Sequence, residues 1–281
     1  MTGQPVSPAP AAAGVPDHYV GLWRRLSLDD GAGRVDCSSE VYWLQTHGLY
    51  ADLRVPMPRP PFGRGVPLQA MTPVQRQWLA TQEGFAGTLE VQGGRCTWHR
   101  TLDYQPPGPV PDTGETRFED DGLLVEEGVH TPYREVWQRL DTGPDVLAMQ
   151  LLDEVRADGQ RRARRGIWVA VGEYFIHALD RTSSLRATAT LADLLTMRGP
   201  ESGAAFLDCE ISFGLRAGGR RPWEVCLSTL PAREGAGLVD PLRPPRVDNS
   251  GICVQRIATP EGPLTRRWIV RELSGAFRWL D

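Results

Sequence analysis

Residues 40–55 read EVYWLQTHGLYADLRV, and this stretch decides the fold class. Residues 40–46 are typical of a β-strand, residues 49–55 alternate strictly between apolar and polar side chains, and the two-residue gap His47-Gly48 is typical of a tight hairpin turn. The same alternation recurs along the chain between segments rich in glycine and proline. We therefore predict a mostly β protein that consists of two consecutive antiparallel lipocalin-like β-barrels with one or two short helices.

Two segments have a helical pattern instead. Thr72 can cap a helix that begins with Pro73, because proline is tolerated at the first helical position, so residues 73–82 are predicted to form a short helix. Leucines at helical spacing predict a second helix over residues 190–198. Each half of the chain then has strands, one short helix and further strands, an order that suggests an internal duplication.

The predicted domains are a flexible tail over residues 1–16, a first barrel over 17–158 and a second barrel over 159–281. The tail is rich in alanine and proline, and it lacks the charged and the continuously apolar regions of a signal peptide. Residues 156–166 read RADGQRRARRG and contain five arginines. We interpret this segment as a solvated connector between the barrels.

The composition argues against several classes of protein. The net charge is −4 over 281 residues, so no overall basic field favours nucleic acid, and no apolar run is long enough to span a membrane. The five cysteines include no CxxC pair, which argues against a zinc knuckle or a disulfide framework. The chain contains no lysine, so Schiff-base chemistry is excluded. We expect a cytoplasmic monomer or homodimer without nucleic-acid or membrane partners.

Segment 49–55, LYADLRV, leaves two arrangements open. In the ordinary one, the face made of leucine, alanine and valine fills the barrel, and the polar face of Tyr50, Asp52 and Arg54 lies in water. In the alternative, a helix or the other half of the protein covers the apolar face, and the polar face lines a cavity. A neighbouring Asp–Arg pair is compatible with this alternative, because a buried charge needs a partner.

The strand predicted over residues 95–103, RCTWHRTLD, contains a histidine that titrates near neutral pH. Strict alternation places Trp98, Arg100 and Leu102 on one face, and His99 and Asp103 on the other. Four residues along a strand span roughly 13 Å. His99 and Asp103 therefore cannot form a direct dyad without a bulge, but His99 alone could act as a general acid or base.

The candidate site residues all lie in the predicted first barrel. Trp43 and Gln45 alternate on one strand, while Tyr133, Glu135 and Trp137 share a face on another. The predicted catalytic residues are His99, Arg54, Asp52 and Glu135. The predicted ligand-binding residues are Trp43, Gln45, Tyr50, Trp98, Asp103, Glu126, Tyr133 and Trp137. The histidines are isolated, and no HExxH, GxSxG or phosphate-binding glycine motif occurs, so we predict neither a metal nor a cofactor.

Several short motifs together carry a family resemblance. They are YADLRV (50–55), FAG (85–87), WHRxxD (98–103), DGLLVEEG (121–128), YxExW (133–137) and RGxxVxVGxY (165–174). In this combination the chain resembles the Hri-type family of twin lipocalin-like, or calycin-like, barrels over about residues 40–175. The resemblance implies a fold of two such barrels, and it implies no particular activity, cofactor or catalytic residue.

Three functions fit these observations. The first is binding of a small apolar or aromatic molecule in the first barrel, because a barrel of about eight strands can hold one small ligand. The second is a metal-independent lyase, isomerase, hydratase or cyclase that uses acid–base chemistry in the same cavity, with Arg54 stabilising an anion. The third is a protein-interaction module that uses the outer surface.

Overall fold

The computed structural model describes residues 14–119, 122–140, 142–182, 185, 189–198, 205–259, 262–275, 277 and 279. These residues form a mostly β protein with two antiparallel sheets, as predicted. The strands of the first sheet are β1 (Gly21–Asp29), β2 (Val35–Asp36), β3 (Glu40–Gln45), β4 (Tyr50–Val55), β5 (Glu83–Gln92), β6 (Arg95–Asp103), β7 (Asp112–Phe118), β8 (Leu123–Gly128) and β9 (Arg134–Leu140).

The first sheet closes into an antiparallel barrel of eight strands. Its order is β1-β3-β4-β5-β6-β7-β8-β9, and β1 also pairs with β9, from Leu22 opposite Leu140 to Asp29 opposite Arg134. The two-residue strand β2 extends this sheet beside the end of β1. The predicted first barrel is therefore confirmed.

The second sheet remains open. Its order is β15-β14-β13-β12-β10-β18-β17-β16, with β11 paired to β10. Its strands are β10 (Val146–Arg156), β11 (Arg161–Arg162), β12 (Gly166–Val171), β13 (Tyr174–Leu179), β14 (Glu210–Leu215), β15 (Glu224–Ser228), β16 (Arg246–Val247), β17 (Ile252–Thr259) and β18 (Gly262–Ser274). Within the described residues no ladder joins β15 to β16, so a second closed barrel is not confirmed.

A loop and an aromatic core take the place of that missing ladder. The backbone N–H of Leu238 donates to the carbonyl oxygen of Trp223, next to β15, at 2.8 Å. The Gln255 amide on β17 donates to the carbonyl oxygen of Leu238 at 3.1 Å. Behind this loop, the ring centroid of Trp168 lies 5.1 Å from that of Trp223 and 5.7 Å from that of Trp268. Side-chain packing thus fills the concave side of the open sheet.

The chain passes from the first sheet to the second between Leu140 and Val146. The expected boundary at 158–159 falls instead in the turn between β10 and β11, which both belong to the second sheet. Of the predicted tail, residues 1–13 lie outside the described residues. Val15 is buried, and its N–H donates to the carbonyl oxygen of His47 at 3.0 Å.

Both predicted helices are confirmed. The first, α1 (Pro73–Leu79), starts with a capping box, in which the Thr72 hydroxyl accepts from the Gln75 N–H and the Gln75 side chain accepts from the Thr72 N–H. The second, α2, covers Leu191–Arg198. None of the helices in the described part of the chain has the length and hydropathy needed to cross a membrane.

One apolar surface from each sheet meets the other in the centre of the protein. Strand β12 reads GIWVAV and is buried on both faces, which explains its unbroken apolar run. The ring of Tyr42 on β3 stacks on Phe213 of β14, with centroids 4.1 Å apart and planes 7° apart. The fully buried side chains of this interface include Leu44, Ala51, Leu53, Val55, Val169, Ile176, Ala178 and Ile211.

We expect Leu53→Ala to destabilise both sheets together. Leu53 is fully buried between them, so its truncation should leave a cavity that costs about 2–5 kcal/mol. Chemical denaturation followed by tryptophan fluorescence should show one transition at lower denaturant. The control is Val74→Ala on α1, where the side chain is 75% exposed, and it should cost less than about 0.5 kcal/mol. Equal free energies of unfolding for the two variants would contradict the interface.

Candidate functional site

The polar face of β4 points into the barrel. Tyr50 and Asp52 are buried, and Arg54 lies over the inward-facing ring of Phe85, 5.1 Å from its centroid. The opposite face of the strand, with Leu53, packs against the second sheet. The ordinary arrangement, with the apolar face inside the barrel, is therefore wrong, and the alternative, with the other half of the protein covering that face, is observed.

Aromatic side chains fill the middle of the barrel. Trp43 packs against Trp23, Trp98 and Trp137, with ring centroids 5.8–5.9 Å apart. The Trp43 indole N–H donates to the Gln45 amide oxygen at 3.1 Å. Because the Gln45 amide nitrogen in turn donates to backbone carbonyl oxygens of the β3–β4 turn, this residue orients Trp43 and holds the turn.

One end of the barrel is plugged by the segment that precedes β1. Tyr19 lies 5.0 Å from Phe118 between ring centroids, and its hydroxyl lies 2.7 Å from that of Thr116. The Trp23 indole N–H donates to the carbonyl oxygen of Tyr19 at 2.8 Å. Among the described residues, the cavities that reach the interior lie at the other end, where β4 and β6 finish and β5 and β7 begin.

A network of alternating charges crosses the interior near that open end. Arg25 and Arg54 both donate to the same oxygen of Glu135, at 2.7 and 3.0 Å. Arg54 also donates to Asp52 at 2.9 Å, and Arg25 to Asp36 at 2.8 Å. Burial raises the pKa of Asp52 to about 6, although the guanidinium of Arg54 opposes that shift. The pairing makes these buried charges tolerable, because an unpaired one would cost several kcal/mol.

A second carboxyl, that of Glu126, is buried close to this network. The Tyr133 hydroxyl donates to Glu126 at 2.6 Å. Burial and the nearby Glu135 raise the pKa of Glu126 to about 8, so this carboxyl holds a proton at neutral pH. Gly114 on the neighbouring strand makes room for it, since a Cβ at that position would lie 2.7 Å from Cγ of Glu126.

A β-bulge changes the direction of side chains along β6. The register shifts between Ala86 and Gly87, where β5 faces the bulged stretch of β6, and a Cβ on Gly87 would lie 1.9 Å from the carbonyl oxygen of His99. Leu102 consequently packs against the second sheet, and Asp103 joins Arg100 at the barrel interior. The strict alternation that placed Leu102 on the face of Trp98, and Asp103 on the face of His99, is wrong beyond the bulge.

His99 lies on the outside of the barrel. Its Nε2 is 3.1 Å from a carboxylate oxygen of Glu90, and both side chains are about half-exposed. His99 is therefore apart from the interior charge network, but it also belongs to the lining of a cavity at the open end of the barrel, so its catalytic role stays a prediction. Inside, the cation at this level is Arg100, which donates to Asp103 at 2.8 Å and to Asp112 at 2.6 Å.

Two open cavities lie at the open end of the barrel. One, of about 530 Å³, is lined by residues 97–100 of β6, which include Trp98, His99 and Arg100, by Asp103, Asp112, Thr113 and Tyr133, and by the loops around residues 107–111 and 130–131. The other, of about 500 Å³, is lined by Arg25, Asp36, Arg54 and Glu83 and by the β2–β3 loop. Charged groups from the interior network thus reach both cavities.

Two buried hydrogen-bond donors inside the barrel have no partner among the residues that the structure describes. They are the Tyr50 hydroxyl and the indole N–H of Trp137. Burial raises the pKa of Tyr50 well above its usual range, so the hydroxyl keeps its proton. A buried donor without an acceptor costs about 1–3 kcal/mol, which is the kind of cost that a bound ligand can remove.

The structure brings most predicted site residues together and leaves one out. The residues at the barrel interior are Trp43, Gln45, Tyr50, Asp52, Arg54, Trp98, Asp103, Glu126, Tyr133, Glu135 and Trp137. Sequence reasoning missed Arg25, Arg100 and Asp112. The alternation of Trp23 with Arg25 in GLWRRLSL repeats that of Trp43 with Gln45 and could have indicated Arg25. Asp112 lies in a proline-rich stretch without any pattern.

The described residues include no group of three or more histidine, cysteine, aspartate or glutamate side chains that could hold a metal ion. Comparisons with protein-family models, with curated proteins and with solved structures give no match. The resemblance to the twin-barrel family therefore rests on the sequence motifs.

We expect Glu126→Gln to flatten the pH dependence of stability. The carboxyl has a pKa of about 8 in the folded protein and an ordinary value of 4.5. Since the folded state holds this proton more tightly, its stabilising contribution is complete below about pH 4.5 and is lost as the pH rises to about 8. Across that window, the free energy of unfolding of the wild type should fall more steeply than that of Glu126→Gln, by up to about 1.4 kcal/mol per pH unit.

Denaturant titrations at several pH values measure these slopes. The matched control is Glu127→Gln, because the neighbouring Glu127 side chain is 51% exposed and its neutralisation should leave the wild-type slope unchanged. Identical slopes for Glu126→Gln and Glu127→Gln would contradict a buried, protonated Glu126.

Proposed function

We propose that the first barrel binds a small molecule with an apolar or aromatic body, which enters at the open end. The observation that carries this proposal is the cavity of about 530 Å³, in which Trp98 and Tyr133 offer aromatic surfaces beside the charges of Arg100, Asp103 and Asp112. Few converging polar groups next to aromatic walls are typical of small-molecule sites. The closed eight-stranded barrel is consistent with a lipocalin-like binding fold.

The unpartnered Tyr50 hydroxyl supports a ligand that carries a hydrogen-bond acceptor. Its surroundings include Arg100, Asp103 and Asp112, the charged residues of the same cavity. A hydrogen-bond acceptor on the ligand that reaches the Tyr50 hydroxyl would give it a partner. The same acceptor would lie close to the Arg100 guanidinium. The motif YADLRV, one of those on which the twin-barrel resemblance rests, contains this Tyr50.

Binding can be measured with the fluorescent aromatic probe 8-anilinonaphthalene-1-sulfonate. We expect Trp98→Leu to weaken probe binding by about tenfold or more, because burial of an aromatic ligand against the indole is lost. Trp78→Leu, at a tryptophan on α1 that packs on Phe62 outside the barrel, is the matched control. Val110→Trp adds bulk at the half-exposed cavity rim without changing the core, and it should also weaken binding.

Native mass spectrometry of the purified protein tests for a ligand that is retained during purification. Probe affinity that is equal in wild type, Trp98→Leu and Val110→Trp would place binding elsewhere and contradict the proposed site.

Acid–base catalysis in the same cavity is a second candidate, and one contact favours it. Tyr133 lines the cavity, and its hydroxyl donates to the buried, protonated Glu126, which neighbours Glu135. For this pair to deliver a proton, the hydrogen bond reverses, so that the Glu126 O–H donates to the Tyr133 oxygen while the Tyr133 proton passes to the bound molecule. Metal-independent lyase, isomerase, hydratase or cyclase chemistry would use Glu126 as the acid through this relay and Arg54 or Arg100 to stabilise an anion.

We expect any turnover found in a mass-spectrometric screen of small aromatic substrates to depend on this pair. Tyr133→Phe and Glu126→Gln should each lower kcat by about 10²–10⁴-fold. Glu127→Gln should leave kcat unchanged, since this side chain is half-exposed and does not line the cavity. Full activity in Glu126→Gln, or equal losses in Glu126→Gln and Glu127→Gln, would exclude this mechanism.

A further inference from the structure

A third cavity, of about 340 Å³, lies in the second sheet and is rich in arginine. Its walls come from the ends of β10 and β18, from the segment around β11 and from the end of β17. Residues 156–166, which the sequence suggested to be a solvated connector, supply much of it. The charged residues that line it are Arg156, Arg162, Arg164, Arg266, Glu154 and Asp158.

Cross-strand register aligns three of these side chains. Glu154 on β10 lies opposite Arg162 on β11 and opposite Arg266 on β18, so the three form one row on the same face of the sheet. Arg266 donates to Glu154 at 2.9 Å, and a guanidinium nitrogen of Arg164 lies 3.6 Å from the same oxygen. One buried carboxylate therefore serves several guanidinium groups.

The guanidinium groups of the cavity are unequally paired. Arg266 is buried, and Glu154 is its one side-chain hydrogen-bond partner among the described residues, while Glu210 lies close enough to act on its charge. Arg162 is half-buried and has no side-chain hydrogen bond or ion pair within the part of the chain that the structure describes. Asp208 approaches Arg162 and Arg164 from outside the cavity lining. Arg162 therefore has donors available inside the cavity.

The opposite face of the same strands provides an internal comparison. There Asp153 pairs with Arg267 and lies 3.7 Å from Arg161. This face therefore has an aspartate between two arginines, just as the cavity face has Glu154 between Arg162 and Arg266. The Arg161 side chain is 66% exposed, so its charge is screened by water. Residues of the same type, one position apart, thus lie in two very different environments.

We propose that the cavity between β10, β11 and β18 is an oxyanion site that takes the phosphate group of a small molecule. Arginine donates in a planar fork, and guanidinium groups that converge from several strands match a tetrahedral anion with oxygens in several directions better than a planar carboxylate. Entry of the anion supplies acceptors for Arg162 and Arg266. This site is separate from the first barrel and independent of the function proposed for it.

Calorimetric titration with inorganic phosphate at constant ionic strength tests the site, with chloride as the compensating salt. Arg162→Gln should weaken phosphate binding by about tenfold or more, because a charge-assisted hydrogen bond is lost. Arg161→Gln is the matched control on the opposite face and should bind like the wild type. Arg266→Gln should also lose binding, and circular dichroism will show whether it keeps its fold with Glu154 unpaired.

Three results would overturn the proposal. They are a wild type that shows no phosphate binding beyond that of chloride, equal affinities in Arg162→Gln and Arg161→Gln, and binding that is lost in Trp98→Leu but kept in Arg162→Gln. The last result would move the anion to Arg100 in the first barrel.

Discussion

The contact between the outer face of β3 and β4 and the second sheet determines which side chains point into the first barrel. Leu44, Ala51 and Leu53 are fully buried there, each removed from water by β12, β13 and β14. Complete burial of a leucine stabilises by about 1.5–3 kcal/mol, so a few such side chains outweigh most local preferences. Because neighbouring residues of a strand point to opposite faces, this packing forces Tyr50 and Asp52 into the barrel.

A charged interior follows from that constraint. A barrel of eight strands has little internal space, and here arginines and carboxylates share it with tryptophans. The charges persist because they are paired in sequence from Asp36 through Arg25, Glu135 and Arg54 to Asp52. The carboxyl of Glu126, which forms no ion pair with these arginines among the described residues, keeps its proton instead, because burial and Glu135 raise its pKa to about 8. The second half of the protein is thus a structural requirement of the first-half site, although it contributes no residue to the barrel lining.

The parts of this structure that depend on local pattern could be predicted from the sequence. The strands of EVYWLQTHGLYADLRV and the helix after Thr72 need only alternation and capping chemistry, and both were found. The sequence could not show which face of β4 points into the barrel. The apolar face is buried in both arrangements, and they differ only in whether it packs inside the barrel or against the second sheet. Asp103 was assigned to the wrong face because a bulge on β6, opposite Gly87, breaks the alternation. A glycine inside a strand often marks a bulge, but here both glycines lie on β5 and the extra residue lies on β6.

A run of charged residues also does not show which side chains face water and which line a cavity. The arginines after residue 156 are an example. Arg161 and Arg162 are adjacent in sequence and identical in type, but one faces water beside Asp153 and the other lines a cavity beside Glu154. In water an ion pair contributes little. In a partly buried cavity, a guanidinium without a side-chain hydrogen-bond partner attracts an anion more strongly than it would in open water, because the effective dielectric constant is lower. Strand register therefore decides whether an arginine serves solubility or binding. In both halves of this protein, register places arginines at the end of an aromatic core, where a ligand with matching charge can reach them.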